Sequence, residues 1–116
     1  MLRKTISEFP KEIVTSFGSQ KTAIRWFRRP EESTHFMLRR FDIEAGGFIG
    51  VHAHPEEHQM YILKGPIVLL DQNNKETVVQ ADEFIYMPPN EPHGYKNPNT
   101  FGVAFLCGIP KLEKKK

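Results

Sequence analysis

The sequence predicts an all-β domain, a sandwich or barrel of short strands, on three observations. Apolar residues recur with a period near two through most of the chain, as in "HFMLRRFDI", which puts alternate side chains on one face of a strand. Proline and glycine, 9 and 8 in number, are scattered along the chain and punctuate short elements. At 116 residues the chain suits one core and is too small for two.

The elements follow in order. The opening "MLRKTISEFPKEIVTSFGSQ" carries the least readable pattern. "HFMLRRFDIEAGG" offers a strand from about His35 to Ile43, ended by Gly46 and Gly47. "MYILKG" is rich in β-branched and aromatic residues and stops at Gly65 and Pro66. "PIVLLDQNNKETVVQ" reads as strand, turn, strand, with Asn73 and Asn74 tolerating the positive φ of a tight hairpin. "EFIYMPPNEPHG" is a strand running into a proline-bounded loop, and "TFGVAFLCGIP" is a last strand ended by Pro110. No stretch shows a convincing amphipathic helix, an internal repeat or low complexity.

Charge and cysteine usage narrow the setting. The net charge of +2 comes from the tail "KLEKKK", with its four lysines against one glutamate; of 16 basic and 14 acidic residues, 12 and 13 remain without it. A nearly neutral body argues against a nucleic-acid surface. No apolar run is long enough to span a bilayer, and "MLRKTISEFPKEIV" lacks the apolar stretch of a signal peptide, so no membrane partner is expected. The single cysteine, Cys107, excludes an internal disulfide and fits a reducing compartment, which gives a cytoplasmic expectation.

The chemistry is concentrated in "VHAHPEEHQMYILKG", residues 51–65, where three of the chain's 5 histidines fall within seven positions. Residues two apart on a strand share a face, so His52 and His54 point together. Pro55 ends or bends the strand, and "PEE" turns the chain so that His58 returns to the same point. Each neutral imidazole offers one nitrogen lone pair to a divalent cation. "HPEEH" also fits H-x-x-E-H, an inverted zinc-protease helix pattern with Glu57 as base. That reading is disfavoured because "MYILKGP" prefers a strand and His52 would then point elsewhere.

Taken together, these residues resemble a small single-domain cupin. The first cupin motif, G-x5-H-x-H-x3-E-x6-G, is met by Gly46, His52, His54 and Gly65, with His58 at the glutamate position. The second, G-x5-P-x-G-x2-H-x3-N, aligns with Asp82, Pro88, Asn90, His93 and Asn97, with 34 residues between His58 and His93. Asp82 and Asn90 stand at turn glycines, and both residue types enter left-handed backbone more readily than most. Some small bacterial cupins use four histidines, and the chain is similar to them in length, in "YILKG", in "PPNEPHG" and in "FLCGIP".

The resemblance runs from about Phe36 to Pro110. It implies a double-stranded β-helix, or jelly roll, with one divalent transition metal (Mn, Fe, Ni, Cu or Zn) held in its mouth by His52, His54, His58 and His93. It also implies a homodimer. The chain then divides into an N-terminal segment at 1–20, partly strand and packing on the barrel or a dimer partner, a barrel at 21–110 and a basic tail at 111–116.

Four neutral imidazoles leave a divalent metal both its positive charges, which strengthens it as a Lewis acid and disfavours its higher oxidation states. The expected function is a dioxygenase-like oxidoreductase acting on a small organic substrate. A non-catalytic metal-dependent binder of a small molecule or sugar, or an isomerase or epimerase, is the alternative. No catalytic residue beyond the metal site is assigned. Alternation places Val103, Phe105 and Cys107 on one face of the last strand. Phe41, Phe48, Ile49, Tyr61, Phe84, Phe105, Cys107 and Arg39 are the expected pocket residues, and His35 is expected to be structural or on the surface.

Overall fold

Alternation in the sequence becomes alternation of burial in the computed structural model, which describes residues 1–112. Nine strands form: β1 (Glu12–Ile13), β2 (Gln20–Trp26), β3 (Phe36–His52), β4 (His58–Lys64), β5 (Ile67–Leu70), β6 (Glu76–Val79), β7 (Phe84–Met87), β8 (His93–Lys96) and β9 (Val103–Pro110). In β4, His58, Met60 and Ile62 are buried while Gln59, Tyr61 and Leu63 are exposed. The other regular elements among the described residues are short 3-10 turns at Ile6–Glu8, Ser16–Gly18 and Pro30–Glu32.

The strands pair antiparallel in the order β6-β5-β8-β3-β9-β4-β7, with β2 on β3 and β1 on β2. The result is the curled all-β sheet of a jelly roll. β3 joins its two wings. Residues from Phe36 to Ile43 pair with β9, while Phe48, Ile49 and His52 pair with β8. The core lies between the wings and contains Ile43, Met60, Ile62, Ile67, Val103 and Phe105, all with 2% exposure or less. Full burial of such an apolar side chain stabilises the fold by about 1.5–3 kcal/mol.

β3 does not end at Gly46 and Gly47, as the sequence predicts, but passes through them to His52. Gly46 takes a φ of 77°, and a Cβ on Gly47 would stand 2.8 Å from the carbonyl oxygen of Gln20. The pair is thus a bend where β3 changes partner, with β2 packed against it. Asn97 holds the bend. Its backbone N–H donates to Gly47 O at 2.9 Å, its side-chain amide donates to Ile43 O at 2.9 Å, and Gly46 N–H donates to Asn97 O at 2.9 Å.

Other turns follow their residue chemistry. Asp82 and Asn90 adopt φ values of 69° and 63°, so both occupy the left-handed region at the positions where the motif has glycine. The β5–β6 connection is longer than a tight hairpin: Asp71 accepts from the backbone N–H of Asn73 and Lys75, and Asn74 takes a φ of 59°. The sequence reading contains neither β2 nor β8. Of the basic tail, residues 113–116 lie outside those described.

Candidate metal centre

His52 closes β3, and His93 opens β8 directly opposite it on the antiparallel ladder. His54 follows two residues later in a connecting loop, where its carbonyl accepts from Asn90 N–H at 2.9 Å. His58 begins β4, and the period-two rule that buries Met60 and Ile62 turns it inward as well. Four imidazoles from four chain positions therefore meet at one end of the sheet.

One nitrogen each from His52, His54 and His93 forms a cluster whose atoms all lie within 4.8 Å of one another. His58 adjoins it: its ring centre is 4.3 Å from that of His54 and 4.8 Å from that of His93, and its Nε2 hydrogen-bonds His54 Nε2. Three of the outer nitrogens are occupied by protein. His52 Nδ1 lies 2.7 Å from Gly50 O, His93 Nδ1 lies 2.8 Å from Glu91 O, and His58 Nδ1 lies 2.7 Å from Cys107 Sγ. His54 Nδ1 is buried without a hydrogen-bond partner, with a carboxylate oxygen of Glu56 3.6 Å away. A carbonyl can only accept, so His52 and His93 carry their proton on Nδ1 and keep the Nε2 lone pair free. His93 Nε2 is buried without a hydrogen-bond partner. A buried nitrogen lone pair facing other imidazoles fits a cation, and outer partners that fix the tautomer are the usual support of histidine ligands.

Burial favours the neutral form of His52, His58 and His93. Burial lowers the pKa of His58 to about 2, and the positive charge of Arg39 adds to the effect. Burial also lowers His93 to about 4 and moves His52 below its ordinary value. Neutral imidazole is the form that coordinates a metal, so protons compete weakly here.

His52, His54 and His58 lie on the wall of a cavity of about 560 Å³. Ile24, Trp26, Phe41, Ile49 and Tyr95 supply apolar surface, and residues from Glu12 to Phe17 complete the lining. The Phe17 ring stacks on His52 at 4.1 Å between centres. Arg39 enters the cavity between aromatic faces, its guanidinium carbon 5.2 Å from the Trp26 ring centre and 5.0 Å from that of Phe41. Glu12, the cavity's carboxylate, is ion-paired with Arg29 at 2.8 Å. Burial holds the Tyr95 phenol well above its ordinary pKa.

Of the residues expected in the pocket, Phe41, Ile49 and Arg39 line this cavity. Arg40 turns the other way and pairs with Asp42. Phe105 lies in the core and stacks on Phe41 with ring centres 5.1 Å apart. Cys107 is buried next to His58. Phe48, Tyr61 and Phe84 face away. Tyr61 is an odd number of residues from His58 on β4, and Phe84 pairs with Tyr61, so both share the outer face. Phe48 is lost for a different reason: β3 slips register between Ile49 and His52, which brings those two residues onto one face although they are three apart. His35 is exposed.

Sequence reasoning missed Trp26, Ile24, Tyr95 and the stretch from Glu12 to Phe17. Tyr95 alone had a signal, since it is two residues from His93 on the same strand face.

Comparisons with known proteins place the chain. Among solved structures, the polyketide cyclase RemF from Streptomyces resistomycificus is 27% identical, with a TM-score of 0.89 over 99% of this chain and 82% of that one. A predicted oxalate decarboxylase from Thermotoga maritima is 23% identical, with a TM-score of 0.82 over 96% of this chain and 100% of that one. A sugar phosphate isomerase from the cupin superfamily of Silicibacter pomeroyi is 12% identical, with a TM-score of 0.80 over 96% and 76%. No match was found among curated proteins. Residues 39–109 match the cupin domain model, and this chain belongs to the cupin family.

Proposed function

We propose that this cupin is a metal-dependent enzyme that takes a flat, partly apolar substrate bearing an acidic oxygen. His52, His54, His58 and His93 would hold one divalent transition metal, Mn, Fe, Ni, Cu or Zn, through their Nε2 atoms. The observation that carries this reading is the outward turn of the Nδ1 atoms toward protein partners, which leaves the inner nitrogens to one another. When bound, a metal with four neutral ligands supplies strong Lewis-acid polarisation of a substrate oxygen or, if it is redox-active, activation of dioxygen.

The chain's own residues define the substrate. Trp26, Phe41 and Tyr95 offer aromatic surface to a planar ring system and exclude water. Arg39 has no carboxylate partner among the described residues, so its charge favours a carboxylate, phenolate or enolate. Burial keeps Tyr95 protonated, and the Glu12 carboxylate is engaged by Arg29.

Redox-neutral chemistry at a carbonyl group, such as enolisation or ring closure, is the reading favoured here. It is supported by the neutral ligand set and by the likeness over 99% of the chain to a protein named a polyketide cyclase. Dioxygenase-like oxidation is the second reading, favoured because the cavity's carboxylate among the described residues, Glu12, is paired with Arg29. Incubation of metal-loaded protein with a panel of polyketones, catechols and flavonoids separates them. Product of unchanged mass, or mass less water, with no oxygen uptake supports the first. Oxygen uptake with two oxygen atoms gained supports the second, and unchanged ligand with tight binding points to a binding protein instead.

We further propose that two copies pair through the outer face of β3, β9, β4 and β7. Phe36 and Phe84 are 68% and 61% exposed there, beside Tyr61 and Leu106 along one apolar groove.

A further inference from the structure

Two nitrogen groups converge on one buried sulfur. Cys107 sits in the middle of β9, in register with Arg39 on β3 and with Met60 on β4. Arg39 Nη2 donates to Cys107 Sγ at 3.1 Å, and His58 Nδ1 lies 2.7 Å from the same sulfur. Met60 places His58 two residues away on the inward face of β4, which brings the imidazole diagonally across to Cys107.

The position matters because a neutral imidazole has a single N–H. A histidine that gives Nε2 to a cation must carry its proton on Nδ1, and something beside Nδ1 must accept that proton. For His52 and His93 the acceptors are the backbone carbonyls of Gly50 and Glu91. His58 has a side-chain sulfur instead. A thiol, unlike a carbonyl, can also donate, so two arrangements exist. With the sulfur accepting, His58 Nε2 presents a lone pair toward His54. With the thiol donating, His58 carries its proton on Nε2 and is the wrong tautomer for a ligand.

We propose that Cys107 is the positioning residue for His58: its sulfur accepts the Nδ1–H and thereby directs the Nε2 lone pair into the histidine cluster. Arg39 supports this role by also donating to the sulfur, which favours Cys107 as an acceptor. The inference rests on the reading of His58 as a ligand. It makes the tautomer of His58 depend on a side-chain sulfur, whereas those of His52 and His93 depend on backbone carbonyls.

Long-range 1H–15N spectra of the metal-free full chain near neutral pH read that tautomer directly. The wild type should show His58 with a protonated Nδ1 and a bare Nε2. Cys107→Val, which removes the acceptor at similar volume, should shift His58 toward the Nε2–H form and weaken Co(II) binding by about 10–100-fold. Cys107→Ser, whose hydroxyl can still accept, should restore most of the affinity. A wild-type His58 protonated on Nε2 overturns the proposal, and that spectrum needs no variant to fold. Unchanged tautomer and Co(II) affinity in Cys107→Val overturn it as well. If His58→Ala keeps wild-type Co(II) affinity, the ligand reading fails. If His58→Ala loses affinity while Cys107→Val does not, only the positioning role fails.

Discussion

His52 and His93 stand opposite each other on one rung of the β3–β8 ladder, with ring centres 4.6 Å apart. Two members of the site are therefore fixed by backbone pairing, and their mutual distance does not depend on a loop. Sites built on strands hold their geometry better than sites built on loops. His54 is the exception, because it lies in the connection between β3 and β4 and depends on the Asn90 N–H to His54 O bond. Replacing the Asn90 backbone amide by an ester, which removes that N–H and leaves a residue free to keep the φ of 63°, should weaken Co(II) binding by about tenfold with little loss of secondary structure by circular dichroism, the size typical of an outer-shell support. Unchanged binding would show that the loop is held by other means.

Acid should destabilise the metal-free protein in a defined window. Folded His58 and His93 have pKa values lowered to about 2 and about 4 from 6.5, so below pH 6.5 the unfolded chain binds more protons than the folded one. Stability contributed by the neutral rings is fully present above pH 6.5 and is lost as pH falls through the folded values. Urea midpoints measured after chelation should thus fall steadily from pH 6.5 toward pH 4. His93→Gln should flatten that slope, whereas a midpoint that rises on acidification would contradict the assignment.

Arg39 should set ligand charge preference. Arg39→Met keeps the stem packed between Trp26 and Phe41 but removes the cation. Calorimetric titration with a planar aromatic carboxylate and its neutral amide should show about a tenfold or larger loss for the carboxylate and little change for the amide, since a charge-assisted bond contributes about 1.5–3 kcal/mol. Equal loss for both ligands would assign Arg39 a packing role.

The Phe17 turn should act as a wall of the cavity. A Cβ on Gly50 would clash with the Phe17 carbonyl oxygen, so Gly50→Ala must displace the turn at Ser16–Gly18 and the Phe17 ring stacked on His52. Aromatic ligand affinity should fall by several-fold, and the melting temperature should fall too, because the clash is with backbone. Affinity equal to wild type would show that this turn does not contribute to binding.

Legibility in the sequence followed locality. Period two revealed the all-β class because it needs only neighbouring residues, and the motif spacing gathered His52, His54, His58 and His93 because each stands at or next to a strand end. β2 was hidden because its exposed, polar start, "QK", masks the buried run Thr22 to Ile24, whose partner β3 lies far along the chain. Gly46 and Gly47 read as a stop because a bend within a strand and a strand end use the same residue type. Tyr61 and Phe84 could have been excluded by parity, whereas the register slip between Ile49 and His52, which turns Phe48 away, leaves no local trace. Residues 12–17 reach the cavity through irregular backbone, which has no period to read.

Outer-face pairing of two copies is open to a direct check. Light scattering at micromolar concentration should give twice the chain mass for wild type and the single mass for a Phe36→Glu, Phe84→Glu double variant with an intact far-ultraviolet spectrum. A wild-type monomer would end the proposal, and a dimeric variant would move the interface elsewhere.

Metal content decides the site itself. Protein purified without added metal and analysed by elemental mass spectrometry should carry close to one transition metal per chain, His58→Ala should lose most of it, and His35→Ala, altered at an exposed position outside the cluster, should keep it. Equal metal loss in both variants, or undiminished metal in His58→Ala, would contradict a centre built from four histidines.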